Sequence, residues 1–169
     1  MPSEPTTKLI IEYARRLEGI DPRVLEEGLR IARLHRQVEQ VIENDLAGWG
    51  LNARQVEIIE SLYLQPSGTM TPAELADEVG LTRSAMTSAL DSLEKAGYTL
   101  RKAHSTDRRM VAIWLTGSGR RFISGRLPQR YAKLHRVMAS LTSRERSCLV
   151  KTYTKVLDLL VSDMAAKAP

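Results

Sequence analysis

Cysteine is almost absent from this chain: Cys148 is the only one in 169 residues, so no intrachain disulfide framework can staple the fold, which fits a reducing cytosol. Long apolar runs are missing too. No stretch approaches the roughly 20 apolar residues that a membrane span requires. The opening MPSEPTTKLIIEYARR, acidic and Pro-rich before a short apolar run, lacks the form of a secretory signal. The expectation is a soluble, cytoplasmic protein with no membrane partner. Catalytic constellations are equally lacking. His35, His104 and His135 stand isolated, there is no Gly-rich phosphate loop and no Cys/His metal spacing, and TGSGR lacks the full nucleophile-elbow pattern. These absences argue against an enzyme and give no reason to expect a metal or cofactor.

What is present is enough for a core and an excess of positive charge. A chain of this length with 43% hydrophobic residues suits one domain, or one domain with helical extensions. The formal charge of +5 and pI of 9.6 suggest a polyanionic partner. The charge is local. Between residues 95 and 126 stand Lys95, Arg101, Lys102, Arg108, Arg109, Arg120, Arg121 and Arg126 against the single acid Asp107, a net of +7, which leaves about −2 for the rest. A charge run is ordinarily a solvated face, so its surroundings decide its meaning.

Those surroundings are mostly helical. TTKLIIEYARRLEG fits a short amphipathic helix through Leu9, Ile10, Tyr13 and Leu17, ended by Gly19. Asp21 as N-cap and Pro22 at the first helical position open a long helix closed by Gly48 and Gly50. Its apolar positions Leu25, Leu29, Ile31, Ala32, Leu34, Val38, Val41, Ile42 and Leu46 cover more than one stripe, more than a surface helix of a monomer needs. Asn52 and Gln55 have capping-box spacing before the next helix, which runs into a Pro-Ser-Gly turn. Thr71, Pro72 and Glu74 start a brief helix with Leu75, Ala76 and Val79 inward, and Gly80 stops it.

The helix that follows at once has two faces. Met86, Ala89, Leu90 and Leu93 form a core side, while Ser84, Thr87, Ser88 and Asp91 repeat at the same spacing on another. Two short helices joined by a tight Gly-containing turn read as a helix-turn-helix, the second being of major-groove size. Its N-terminal part lacks the Glu and Lys that usually solubilise a face. Thr82, Arg83, Ser84, Ala85, Thr87 and Ser88 stand there instead, and their polar members suit base edges and phosphates. Asp91 and Glu94 lie further along, away from DNA if the N-terminal end leads. After Gly97, YTLRKA and MVAIWLT have strand character, with Val111, Ile113 and Leu115 on one face and Ala112 and Trp114 on the other. The loop between them carries Asp107, Arg108 and Arg109. A cationic hairpin tip after a recognition helix reads as a wing whose arginines enter the minor groove, with Asp107 bracing the loop.

The run AELADEVGLTRSAMTSALDSLEKAGYTLRKAHSTDRRMVAIWLTGSG resembles the MarR family of bacterial winged-helix transcription regulators. Glu74, Leu75 and Ala76 match its Glu-Leu-Ala helix. Leu93, Glu94 and Gly97 match its helix ending, Asp107 and Arg109 its wing signature, and Leu115, Thr116 and Gly119 its Leu-Thr-x-x-Gly. GYTLRK departs from the usual aliphatic residue followed by Glu-Arg. The resemblance implies a mainly α fold with a small β-hairpin wing (α+β), a winged helix-turn-helix flanked by N- and C-terminal dimerisation helices. Residues 1–48 would then be N-terminal dimerisation helices, 49–116 the DNA-binding domain and 117–169 the C-terminal dimerisation helices. Independently, Thr142 and Glu145 have capping-box spacing before a stripe of Leu149, Tyr153, Val156, Leu157, Leu160 and Met164, which exposed on a monomer would be an aggregation liability.

The expected function is that of a homodimeric repressor on a pseudo-palindromic DNA operator. The resemblance further implies a small effector, often an aromatic or phenolic acid, between the dimer helices and the winged domain. Trp49, Tyr63 and Tyr131 belong to segments that would line such a cavity, and His35 lies on the first long helix; each also reads as ordinary core packing. Residues 1–20 would lengthen the dimer interface or form a frayed tail. Cys148, inside the last helix, reads as a buried inert thiol. Two other readings are a redox-sensing regulator acting through Cys148 and an architectural protein that binds DNA without sequence preference.

Overall fold

The computed structural model describes residues 4–103 and 111–166. Along the chain run α1 (Glu4–Ala14), α2 (Pro22–Ala47), α3 (Ala53–Leu64), β1 (Thr69–Met70), α4 (Pro72–Val79), α5 (Arg83–Lys95), β2 (Thr99–Ala103), β3 (Val111–Leu115), α6 (Gly117–Ser124), α7 (Leu127–Ala139) and α8 (Ser143–Ala166).

The helix starts sit where the side chains supply partners for orphan backbone N–H groups. Asp21 accepts from the Arg23 amide at 2.8 Å, with Pro22 at the first position of α2. Asn52 with Gln55, and Thr71 with Glu74, form complete capping boxes on α3 and α4. Thr142 and Glu145 do the same before α8. There the Thr142 amide, followed by its hydroxyl, donates to the Glu145 carboxylate and holds its pKa below the ordinary value. A cap of the kind at Asn52 or Thr71 is worth about 1 kcal/mol.

The sheet is three-stranded and antiparallel, in the order β1-β3-β2. β3 pairs with β2 from Thr99 opposite Leu115 to Ala103 opposite Val111. Thr69 and Met70 add the third strand opposite Trp114 and Ile113, where the sequence suggested only a turn. The central place of β3 also alters the expected two-faced pattern. Ala112 and Ile113 are both buried, while Val111, beside the segment that joins β2 to β3, is exposed.

One core joins α3, α4, α5 and the sheet through Val56, Ile58, Ile59, Leu62, Leu75, Met86, Leu90, Leu93 and Ile113. It reaches beyond residues 49–116 in both directions, taking in Leu46 from α2, Ile123 from α6 and Leu127 from α7. Gly119 fastens α6 to it. Thr116 caps α6 by accepting from the Gly119 amide at 2.9 Å, and its own amide donates to the Tyr98 carbonyl. A Cβ on Gly119 would run into that carbonyl oxygen and lie 2.7 Å from Leu115 Cδ1, so the Thr-x-x-Gly spacing joins a cap to a close approach that a side chain would block.

Outside this core the helices are thinly covered. α1 ends at Ala14, short of the expected Gly19, because the chain turns through Arg15–Gly19. Ile11 and Ala14 are the buried residues of that segment, whereas Leu9, Tyr13 and Leu17 face outward. On α2 only Leu46 is buried, and on α8 no residue is. Cys148 is exposed rather than buried, because α8 packs so little of its surface against the rest of the chain.

Candidate nucleic-acid interface

The turn between α4 and α5 is made by Gly80, whose φ of +68° suits a residue without Cβ, and the Leu81 amide returns to the Ala76 carbonyl at 2.9 Å. Met86, Leu90 and Leu93 anchor α5 in the core. That anchoring turns Thr82, Arg83, Ser84, Ala85, Thr87 and Ser88 outward, all of them exposed. Thr82 caps the helix by accepting from the Ala85 amide at 3.3 Å and lies 3.2 Å from the Ser84 hydroxyl. The Thr87 hydroxyl donates to the Arg83 carbonyl at 2.9 Å and that of Ser88 to the Ser84 carbonyl at 3.2 Å. No carboxylate stands on α5 before Asp91.

The two acids that follow are held by a residue whose role the sequence did not disclose. Arg101 on β2 pairs with Asp91 at 2.6 Å and with Glu94, and its amide donates to the same Glu94 carboxylate at 3.0 Å. Burial would lower the Arg101 pKa, but hydrogen bonds to Asp91 and Glu94 outweigh it and hold the guanidinium above its ordinary value. Arg101 therefore ties the hairpin to the C-terminal end of α5 and offsets one of the two negative charges there. Replacing Arg101 by methionine is expected to destabilise the fold by about 1 to 2 kcal/mol in urea unfolding, discounted for partial exposure. A stability change within error would show that the lock contributes nothing.

The rest of the basic window divides. The Arg126 guanidinium stacks on Phe122 at 4.1 Å and donates to its carbonyl, and Arg120 lies over the Tyr63 ring at 5.5 Å. Lys95 and Arg121 are exposed. Asp107, Arg108 and Arg109 lie outside the described residues.

The four effector candidates sit in different surroundings. His35 is 3.4 Å from Glu39 and its ring centre is 5.9 Å from that of Tyr153, linking α2 to α8. Trp49 meets Phe122 edge-on at 6.3 Å, with Arg126 beside it. Tyr63 is half-buried beneath Arg120. Tyr131 donates to Glu60, whose carboxylate also pairs with Arg130. Burial, then the Glu60 hydrogen bond, push the Tyr131 pKa up to about 12, so its hydroxyl stays a donor at neutral pH. None of the four lines the cavity of about 570 Å³ beside that cluster, bounded by Arg54, Glu57, Glu60, Met70, Glu78 and Arg130 among others. Glu60, Arg130 and this cavity escaped the sequence reading because the two residues are 70 positions apart and share no motif.

A helix pair with an exposed second helix, followed by a β-hairpin on the same core, defines a winged helix-turn-helix. The MarR family profile matches residues 51–111. The transcriptional repressor YetL of Bacillus subtilis is 30% identical over 147 residues, which cover 87% of this chain and 88% of YetL. The transcriptional repressor MprA of Escherichia coli is 29% identical over 130 residues, 75% of this chain and 73% of its own. The chain belongs to the MarR family of transcription regulators. Its fold is that of AbsC, a MarR family regulator from Streptomyces coelicolor, with a TM-score of 0.69 at 22% identity over 86% of this chain and 97% of AbsC. Staphylococcus aureus MepR, in a complex with DNA, gives 0.67 at 20% identity over 78% and 96%. The two sequence relatives, YetL and MprA, are transcriptional repressors. No described helix is long and apolar enough to cross a membrane.

Proposed function

We propose that this regulator is a cytoplasmic homodimeric repressor that binds a pseudo-palindromic operator and is released by a small effector. The observation that carries the reading is the outward face of the N-terminal half of α5 with its cap Thr82: exposed, free of carboxylates, bearing four hydroxyls and Arg83, and followed by two acids that Arg101 holds and partly offsets. Inserted in the major groove, Thr82 to Ser88 meet base edges, while Arg108 and Arg109 on the wing reach toward the minor groove. MepR has been solved on DNA, and YetL and MprA are repressors.

Dimerisation follows from what a single chain leaves bare. Ile31, Leu34, Val38 and Val41 on α2, Leu134, Val137 and Met138 on α7, and Leu149, Tyr153, Val156, Leu157, Leu160 and Met164 on α8 are all exposed. A two-fold interface covers them and sets two copies of α5 about 34 Å apart, one turn of DNA.

The effector is a small organic acid, in keeping with Bordetella bronchiseptica BpsR, whose DNA binding is regulated by 6-hydroxynicotinic acid. Its place is the junction of α3 and α7. A carboxylate there competes with Glu60 for Arg130, loosens the link between the winged core and the arm, and so favours a different spacing of the two reading helices. Fluorescence anisotropy on the DNA upstream of the protein's own gene, against scrambled DNA of equal length, tests the reading. A preference of about a thousandfold at physiological salt is expected, with release by members of an aromatic-acid panel. Equal binding to both DNAs would refute operator recognition.

A further inference from the structure

We propose that Arg83 reads a guanine in each operator half-site and that Thr87, one turn along the same face, selects a thymine within about two base pairs of it. The inference rests on α5 entering the major groove, and it assigns base preference within that site.

Arg83 stands where helix stability disfavours a cation. It occupies the first position of α5, at the positive end of the helix dipole. No ion pair involves it among the described residues, and the first acid along the helix, Asp91, is engaged by Arg101. A guanidinium kept exposed at a helix N-terminus is available for an acceptor brought from outside. Guanine presents two, O6 and N7, at the spacing a guanidinium fork matches.

The neighbouring side chains narrow the remaining choices. The exposed positions from Thr82 to Ser88 carry no Asn or Gln, which pair with adenine, and no carboxylate, which accepts from cytosine. Because the Thr87 and Ser88 hydroxyls already donate to the carbonyls one turn back, they offer lone pairs outward, and these cannot bond to the guanine acceptors. They accept at most one hydrogen bond each from an adenine or cytosine amino group. The Thr87 γ-methyl, on the same face of α5 as Arg83, is placed to meet the 5-methyl of thymine. Arg83 and Thr87 are one turn apart, about 6 Å along the axis, which is under two base-pair steps of about 3.4 Å.

The experiment is selection from a pool of random duplexes with the full chain, run in parallel for the natural protein, Arg83→Ala and Arg83→Lys. The natural protein is expected to enrich paired half-sites, each with one fixed guanine and a thymine close by. Arg83→Ala should lose the preference at the guanine and keep that at the thymine. If Arg83→Ala enriches the same guanine, or loses affinity equally for every sequence as a phosphate contact would, the assignment is overturned. If the natural protein enriches nothing, the operator-binding reading itself falls and takes this one with it. A second measurement leaves the protein unaltered: 7-deazaguanine in place of the fixed guanine should weaken binding about tenfold, and uracil in place of the thymine several-fold. Unchanged binding to both modified duplexes would overturn the assignment.

Discussion

Gly119→Ala is expected to destabilise the protein by about 3 kcal/mol or more, at the upper end of what overpacking costs. The reason is the identity of the obstructing atom. The added Cβ meets the Tyr98 carbonyl oxygen, which is fixed by the Thr116 amide and lies at the start of the hairpin, so no side-chain rotation relieves the clash. Relief requires α6 to move off the sheet, which uncovers Ile123 and Leu127, both part of the core. Urea or thermal unfolding reads the effect directly. Stability within about 1 kcal/mol of the natural protein would show that the helix start adjusts freely and that the glycine is not needed for packing.

The second large effect is expected at the α8 surface. Leu157 and Leu160 are three residues apart on one helical face and are 61% and 59% exposed in the single chain. Glutamates at both positions should leave the helix and the winged core folded, since neither side chain is buried there. In a dimer they place unpaired carboxylates inside the interface, at several kcal/mol each, so dissociation should rise by about two orders of magnitude or more. Sedimentation equilibrium then reports a monomer at micromolar concentration while circular dichroism keeps its helical signal. Operator affinity should fall in parallel, because a lone winged domain reads only one half-site. A double variant that remained dimeric would place the interface elsewhere and remove the stated reason for the bare stripes on α2, α7 and α8.

The part of the fold that sequence patterns disclosed is the part built by neighbours in the chain. Asp21, Asn52, Thr71 and Thr142 each meet a backbone amide within three residues. The alternation of Met86, Leu90 and Leu93 with Ser84, Thr87 and Ser88 separates a buried from an exposed face by helical period alone. The same spacing rules misjudged α1. Periodicity there marked Leu9, Ile10, Tyr13 and Leu17, of which Ile10 is half-buried and the others exposed, while Ile11 and Ala14 are buried. An apolar stripe says that a face can be buried, not which neighbour arrives to bury it. Cys148 makes the same point, since its place within an apolar helix suggested burial and the single chain leaves it exposed.

By itself, then, the amino-acid order determined the capped helix starts, the helix-turn-helix with hydroxyls and no acid on its second helix before Asp91, and the hairpin after Gly97, because hydrogen-bond geometry and a repeat of 3.6 or 2 residues act over short stretches of chain. Tertiary structure decided the rest. It added β1, two residues too short to show any period, and made β3 a central strand buried at Ala112 and Ile113. It turned Arg101, one member of a basic run, into the clamp on Asp91 and Glu94. It brought Glu60 to Arg130 and Tyr131 across 70 and 71 positions of the chain. Each of these depends on which surfaces meet when the core closes, and that is settled by packing the whole chain rather than by any window of it.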